Sequence, residues 1–256
     1  MKRNDRLRSV QAIIISHRDF SESDRLVKIF SLEHGKLTVL AKGVRKVKSR
    51  KSAYLEPFMH SKIVLARGHT FWIVTQADAV NNFMRIRDSL KKTSLAAEIL
   101  ELIDHLTIED EPDQAIFHLI ESTLAYLNQE EDVYTVMLYF KMRLLDQAGF
   151  RPDLFHCVDC KKEIQPQDQY FSFIQGGALC PECAKLHPAK RPISLETLRY
   201  LRHFQRSSYY KLKDVHVPDV YRQPIAYLLQ DYFSHIAERK LHAPDFMRQV
   251  LDDGDV

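Results

Sequence analysis

The four cysteines of this 256-residue chain stand as Cys157-Val-Asp-Cys160 and Cys180-Pro-Glu-Cys183, two close pairs with nineteen residues between them. Two residues inside each pair let the backbone curl around one ion, and four thiolates complete the tetrahedron that zinc accepts. Between the pairs, Gln169 to Phe173 reads as a strand and Gly176-Gly177 as the turn that returns the second pair to the first. The segment around 155–190 is therefore expected to be a zinc ribbon, with Cys157, Cys160, Cys180 and Cys183 holding one structural zinc. A disulfide pair or idle thiols are the alternatives. Four sulfur ligands leave no coordination position for water or substrate, which argues against hydrolysis at this ion. His156 and His187 flank the cysteines and read as surface residues. Lys161-Lys162 follows the first pair, where zinc knuckles often turn through glycine.

The rest of the chain reads as ordinary globular protein, 45% apolar and 28% charged. The apolar run Ala12 to Ile15 is too short for a signal-peptide core, and nothing approaches the roughly 18 apolar residues of a membrane span. A soluble, cytoplasmic chain without membrane contact is the expectation, and in that compartment clustered cysteines favour a metal over disulfides. The net charge of +3 hides a segregation: residues 1–80 hold sixteen Lys and Arg against seven Asp and Glu, and the remainder 21 against 27. A net +9 followed by a net −6 suggests that the first part meets a polyanion while the second does other work.

Within the first 80 residues, Val10–Ser16, Arg25–Ser31, Lys36–Lys42, Phe58–Arg67 and Thr70–Gln76 are rich in β-branched and aromatic residues and read as five strands. His34-Gly35 and Arg67-Gly68-His69 supply tight turns. Five short strands without a helix pattern predict a small barrel, the OB fold first, an SH3-like barrel as the alternative. Between the third and fourth strands runs Lys42-Gly-Val-Arg45-Lys46-Val-Lys48-Ser-Arg50-Lys51, six cations in ten residues, with no acid from Lys36 to Ala53. That loop is too long for a simple hairpin, which argues for use. Lys36, Lys42, Arg45, Lys46, Lys48, Arg50 and Lys51 are the candidate phosphate contacts. Tyr54, Phe58, His60 and Trp72 lie close by and either stack on bases or fill the barrel core.

From Asp88 the period changes to about 3.6. Leu95, Ile99, Leu102, Ile103 and Leu106 share one helical face; Ile116, Leu119, Ile120, Thr123 and Leu127 share another after Pro112. A third helix carries Val133, Val136, Met137, Phe140, Leu144 and Leu145 and should stop at Gly149. Beyond the cysteines, Ser194 is suited to cap a helix bearing Leu195, Leu198, Leu201 and Phe204, and Pro224 to open another with Ile225, Leu228, Leu229, Tyr232, Phe233 and Ile236. The acidic ending Leu251–Val256 is expected to fray. The fold class is thus α+β: a five-stranded OB barrel over 1–80, then an α-helical domain over 81–256 with the zinc ribbon inserted.

Several segments resemble the RecO family of bacterial recombination mediators. Asp24-Arg25-Leu26-Val27 with Phe30-Ser31, Glu33-His34-Gly35-Lys36-Leu37, Ala41-Lys42-Gly43-Val44-Arg45-Lys46 and Pro57-Phe58 are similar in order and spacing to that family's first domain. Ala148-Gly149-Phe150-Arg151-Pro152 running into Cys157, and Phe171-Ser172 through Gly176-Gly177 to Cys180, resemble its zinc-bearing branch. The chain departs from the family pattern at Ser21, where glycine is usual, and at the glycine-free first knuckle. The resemblance implies binding of single- and double-stranded DNA, annealing of complementary strands, and a mediator role at the nucleoid. In that role the protein works with RecR at gaps coated by single-strand binding protein and helps RecA replace it. It also implies a receptor for the acidic, apolar-ended C-terminal tail of single-strand binding protein. The helix after Ser194 offers one, with Arg199, Arg202 and Arg206 beside Leu198, Leu201 and Phe204.

Annealing needs a basic surface that screens two strands and no catalytic group, and no Walker loop, metal-carboxylate motif or HExxH is found. A non-enzymatic DNA-binding protein is the expectation. An RNA-binding or ribosome-associated OB protein with a zinc ribbon is the alternative.

Overall fold

A computed structural model describes residues 7–237. The acidic ending Leu251–Val256 lies outside the described residues. Five strands, β1 (Leu7–Asp19), β2 (Arg25–Ser31), β3 (Gly35–Ala41), β4 (His60–Arg67) and β5 (Trp72–Asn81), form a closed barrel in the order β1-β2-β3-β5-β4. Strand β5 lies between β3 and β4 and meets β3 in parallel through Val39↔Trp72 and Leu40↔Ile73. This is the OB arrangement, and it removes the SH3-like alternative. β1 extends three residues beyond each end of its predicted span, because it serves two partners. Leu7–Ile13 pairs with β4 and Ala12–Asp19 with β2, with an irregularity between Ile14 and Ser16 where the strand bends around the barrel.

Alternate residues of the strands, among them Val10, Ile14, Val27, Ile29, Val39, Ile63, Leu65 and Val74, fill the barrel. Ile13 and Phe30 belong to the opposite face yet are fully buried. The reason lies in the next elements: α1 (Met84–Arg87), α2 (Leu90–Leu106) and α3 (Gln114–Gln129), of which α2 and α3 pack on β1. Gly35 (φ +66°) makes the β2–β3 turn and lies so close to the chain entering α3 that a Cβ would stand 1.9 Å from the Glu111 carbonyl oxygen. The change of hydrophobic period at Asp88 and the boundary between compact units therefore fall at different places. One unit comprises residues 1–129 and the other 130–256.

The second unit begins with α4 (Val133–Gln147), capped by Asp132 and terminated at Gly149 with φ +80°. A three-stranded sheet follows, β7 (Gly177–Leu179), β6 (Gln169–Ser172) and β8 (Arg191–Ile193), with the short α5 (Pro181–Ala184) between β7 and β8. Then come α6 (Leu195–Arg206), α7 (Tyr209–Leu212) and α8 (Asp219–Ala237). Ser194 caps α6 as expected, its hydroxyl accepting from Thr197 N–H at 3.2 Å. The reading of Pro224 as the start of the last helix is corrected: α8 begins at Asp219 and Pro224 lies inside it. A proline there deprives the carbonyl of Val220 of its helical donor, and Val220 is an exposed residue. Among the described residues, no helix is long and apolar enough to cross a membrane.

Candidate metal centre and nucleic-acid interface

The metal centre is assembled by two turns. At the first, Lys162 C=O accepts from Cys157 N–H at 2.8 Å and Cys157 C=O from Lys161 N–H at 2.9 Å, closing a loop around the pair. Lys161 stands at φ +62°, the left-handed conformation that glycine adopts without cost. At the second, Cys180 precedes α5 and Pro181 occupies its first position. The strands that join the turns have no room to spare. Gly177 pairs with Asp153, and a Cβ there would lie 2.4 Å from the Asp153 carbonyl oxygen. Gly176, at φ +69°, leaves space for the Tyr232 hydroxyl.

All four sulfurs lie within 4.8 Å of one another. Cys160 Sγ and Cys180 Sγ are 3.9 Å apart, beyond the reach of a disulfide. Sulfurs around zinc at 2.3 Å would be separated by about 3.8 Å, so the four cysteines are positioned to hold such an ion. Burial alone would raise the Cys157 thiol, but N–H donors from Cys180, Cys160 and Asp159 outweigh it and bring it down to about 7. The Cys183 thiol is pushed up, first by hydrogen bonding to the Cys180 sulfur and then by burial. Thiols this close share protons, and a divalent cation replaces those protons at a stroke. His187 instead pairs with Asp159 at 3.2 Å and His156 faces Asp153 at 3.7 Å, so neither joins the sulfur cluster.

The basic loop leaves the barrel at the end of β3, pinned by Asp24. Its carboxylate accepts from Gly43 N–H at 2.7 Å, and Ser23 C=O accepts from Arg45 N–H at 3.0 Å. The bond from Gly43 holds the Asp24 carboxyl below its ordinary range. The seven candidate cations then part company. Lys46, Lys48 and Arg50 are exposed and their side chains make no hydrogen bond or ion pair with the described residues, and Lys42 is exposed as well. Arg45 is exposed but pairs with Asp19 at 3.3 Å and donates to Ser21 C=O at 3.2 Å. Lys51 turns inward: its ammonium donates to Val74 C=O at 2.7 Å, and burial lowers its pKa. Lys36 is a correction, because it is buried and donates to the carbonyls of Asp104 and Thr107 at 2.5 and 2.6 Å. It is committed to α2 and presents nothing to a phosphate.

The four aromatics singled out by proximity divide similarly. Tyr54 and Trp72 pack against the barrel core, and Trp72 also carries the guanidinium of Arg8 at 4.6 Å. His60 is fully buried. Phe58 takes φ +72° with Arg87 over its ring at 5.8 Å. Two further aromatics, Phe20 and Phe71, lie just outside the strands, exposed and partly exposed; proximity to the basic loop did not single them out, and Phe71, placed in the fifth strand by patterning, precedes β5.

The helix proposed as a peptide receptor is also corrected. Leu198, Leu201 and Phe204 are fully buried in the second unit's core, so they offer no open apolar surface to a peptide. Arg202 donates to Leu154 C=O at 2.8 Å, and both Arg202 and Arg206 lie over the Phe155 ring, at 4.9 and 3.6 Å. Arg199 is exposed beside Glu196. An open apolar hollow of about 420 Å³ lies at the N-terminal end of α6, lined by Arg191, Ile193, Thr197, Tyr221, Pro224, Tyr227 and Leu228.

Residues 6–83 match the family model described as Recombination protein O N terminal, and residues 87–245 match Recombination protein O C terminal. The chain is similar to the DNA repair protein RecO of Roseiflexus sp. (strain RS-1), 34% identical over 250 residues that cover 96% of this chain and 88% of the relative. It is also similar to that of Desulforamulus reducens, 32% identical with 94% of each chain covered. The DNA repair protein RecO of Bacillus subtilis (strain 168) is 28% identical with 95% of each covered.

Proposed function

This chain belongs to the recombination protein O family of DNA repair proteins, and on that premise we propose that it is a non-enzymatic recombination mediator that binds DNA and anneals complementary strands. The observation that carries the proposal is the exposed cluster of Lys42, Lys46, Lys48 and Arg50 at one end of the OB barrel. Phosphates repel when two strands approach, and mobile cations on one surface screen both while leaving base edges free to pair. The ion is zinc, and its role is to hold the ribbon: four thiolates close its coordination shell and leave no place for a reacting water. In this reading the protein acts in the cytoplasm at the nucleoid, on single- and double-stranded DNA. It works with RecR at gaps coated by single-strand binding protein and through that serves RecA.

For the tail of single-strand binding protein, the surface that supports the reading is the apolar hollow that Arg191 helps to line. Its volume lies within the usual range of peptide and small-ligand sites. The test of the whole proposal is annealing of complementary DNA strands coated with single-strand binding protein. Acceleration by the purified protein is expected without nucleotide or divalent cofactor. Failure there together with tight binding to matched RNA would overturn it in favour of an RNA-binding protein.

A further inference from the structure

Phe20 follows the last residue of β1, and Phe71 immediately precedes β5 in the β4–β5 turn. Phe20 is 49% exposed and Phe71 is partly exposed. Their ring centroids are 6.2 Å apart with planes at 78°, an edge-to-face pair. Neither ring belongs to the barrel core. A phenylalanine left half in water forgoes much of the roughly 1.5–3 kcal/mol that burial would yield, so packing does not account for this pair.

The two turns are also the ones that matter in an OB barrel. The β1–β2 and β4–β5 turns flank the face through which such barrels hold oligonucleotides. Both are held by close backbone contacts here. Phe20 N–H donates to Asp24 C=O at 3.1 Å across the first turn, and Asp24 in turn anchors Gly43 of the basic loop. In the second, Gly68 lies against the Phe71 carbonyl so tightly that a Cβ would stand 2.2 Å from that oxygen. Basic residues flank the pair along the chain, one of them, Arg45, also paired with Asp19 at 3.3 Å. Arg45 reaches the Ser21 carbonyl beside Phe20, Arg18 is exposed two residues before it, and Arg67 and His69 are exposed beside Phe71.

We propose that Phe20 and Phe71 form a stacking platform for an unpaired base of single-stranded DNA, with the flanking cations taking the adjoining phosphates. The proposal rests on the DNA-binding reading above and adds a preference to it. An edge-to-face pair leaves one ring face open, and any base has a π-face to lay on it. Bases inside a duplex have both faces covered by their neighbours. The platform therefore favours single strands, while the basic loop, which touches only phosphates, serves either form.

The test uses the full chain and a thymidine oligomer carrying one 2-aminopurine, beside its duplex and a version in which the bases are abasic. With the wild type, binding of the single strand should change the 2-aminopurine fluorescence. Combining Phe20→Ala with Phe71→Ala should weaken single-strand binding roughly five- to hundredfold and abolish the fluorescence change, with duplex affinity within about twofold. Phe20→Leu with Phe71→Leu keeps apolar bulk without a ring and guards against misfolding; it should behave as the alanine pair. On the abasic oligomer, wild type and variants should bind alike. Unchanged single-strand affinity and fluorescence in the leucine pair would overturn the platform, as would an equal loss on the abasic oligomer, which would assign the rings to backbone contact. A wild type that binds neither DNA form would instead overturn the functional reading beneath it.

Discussion

Lys36 of β3 and Asp104 of α2 are joined twice: the ammonium donates to the Asp104 carbonyl at 2.5 Å and lies 3.3 Å from its carboxylate. Lys28 reaches the same carboxylate at 2.6 Å. Two strand lysines thus converge on one helix, and the polar contact fastens α2 to the barrel's outer face. Burial would raise the Asp104 carboxyl, but the bonds from Lys28 and Lys36 outweigh it and hold the group below its ordinary range.

The first prediction follows from that burial. Lys36→Met should lower unfolding free energy by about 2–3 kcal/mol, toward the low end for breaking a buried pair because Asp104 keeps some exposure. Urea midpoints measure it, and the salt dependence of DNA binding should not move. Since the folded Asp104 pKa is depressed, the stabilisation is complete above the ordinary carboxylate value of 3.8 and is lost as pH falls below it. A weaker salt dependence at unchanged stability would return Lys36 to the DNA path.

The loop cations should separate in the same assay. Replacing Lys46, Lys48 and Arg50 with alanine removes three exposed charges, and on single strands each phosphate contact contributes about 0.7 to the slope of log K against log salt. The slope should fall by roughly two, for every sequence alike. Lys51→Ala should instead lower stability, because its ammonium serves the Val74 carbonyl. An unchanged slope in the triple variant would exclude the loop.

Removing the metal should unfold the ribbon without touching the barrel's contacts. Cys160→Ser should lose the ion and destabilise the second unit, while cobalt in place of zinc should give the absorption of four thiolates. Disulfides in freshly purified protein, or a folded metal-free variant of full stability, would contradict a structural ion.

The legibility of these features in the sequence followed the reach of the interactions. Cysteine spacing, the existence and order of the five strands and the cap at Ser194 are local and stand as patterning put them, while the ends of β1 and β5 run beyond the predicted spans, to Leu7 and Asp19 and to Asn81. The burial of Ala12 to Ile15 on both faces of β1 escaped strand patterning, because the cover comes from α2 and α3, far along the chain. Lys36 was misread because its partner lies 68 residues away, where a count of charges cannot see it. On α6 the periodic apolar stripe of Leu198, Leu201 and Phe204 serves the core, and the same residues cannot also form an open pocket. What occupies the arginines, Phe155, lies forty residues or more upstream. Pro224 misled because a proline suits the first turn of a helix, whereas here it lies inside one, four residues after the exposed Val220.

Lys161 gives a prediction of opposite sign. A non-glycine residue at φ +62° costs about 1–2 kcal/mol relative to glycine, part of which the greater unfolded-state freedom of glycine cancels. Lys161→Gly should raise thermal stability by up to about 1 kcal/mol and leave the cobalt spectrum unchanged. The lost side chain forgoes one bond from its ammonium to the Val158 carbonyl, at 2.8 Å on an exposed surface. A destabilised variant would mean that this bond outweighs the backbone strain.

His60 sets the pH response of the first unit. It is buried at the start of β4, its Nδ1 lies 3.3 Å from Glu121 of α3, and its Nε2 has no hydrogen-bond partner. Phe117 stands edge-on to the imidazole at 5.6 Å. Burial lowers the His60 pKa below 6.5, and the Glu121 carboxylate opposes that shift without cancelling it. The folded protein thus holds a neutral imidazole where the unfolded chain would be protonated. Stability is complete above 6.5 and falls as pH drops toward the lowered folded value, by at most about 1.4 kcal/mol per pH unit from this group. Urea unfolding at pH 7.5 and 5.5 reads the loss directly. His60→Leu should remove this part of the slope, whatever it does to stability at pH 7.5. Glu121→Gln should steepen it, because the carboxylate is what keeps the folded pKa from falling further. His118, 3.2 Å from the same carboxylate but exposed, competes for it and should have the smaller effect when replaced by alanine. Equal slopes in wild type and His60→Leu would assign the acid sensitivity to other groups.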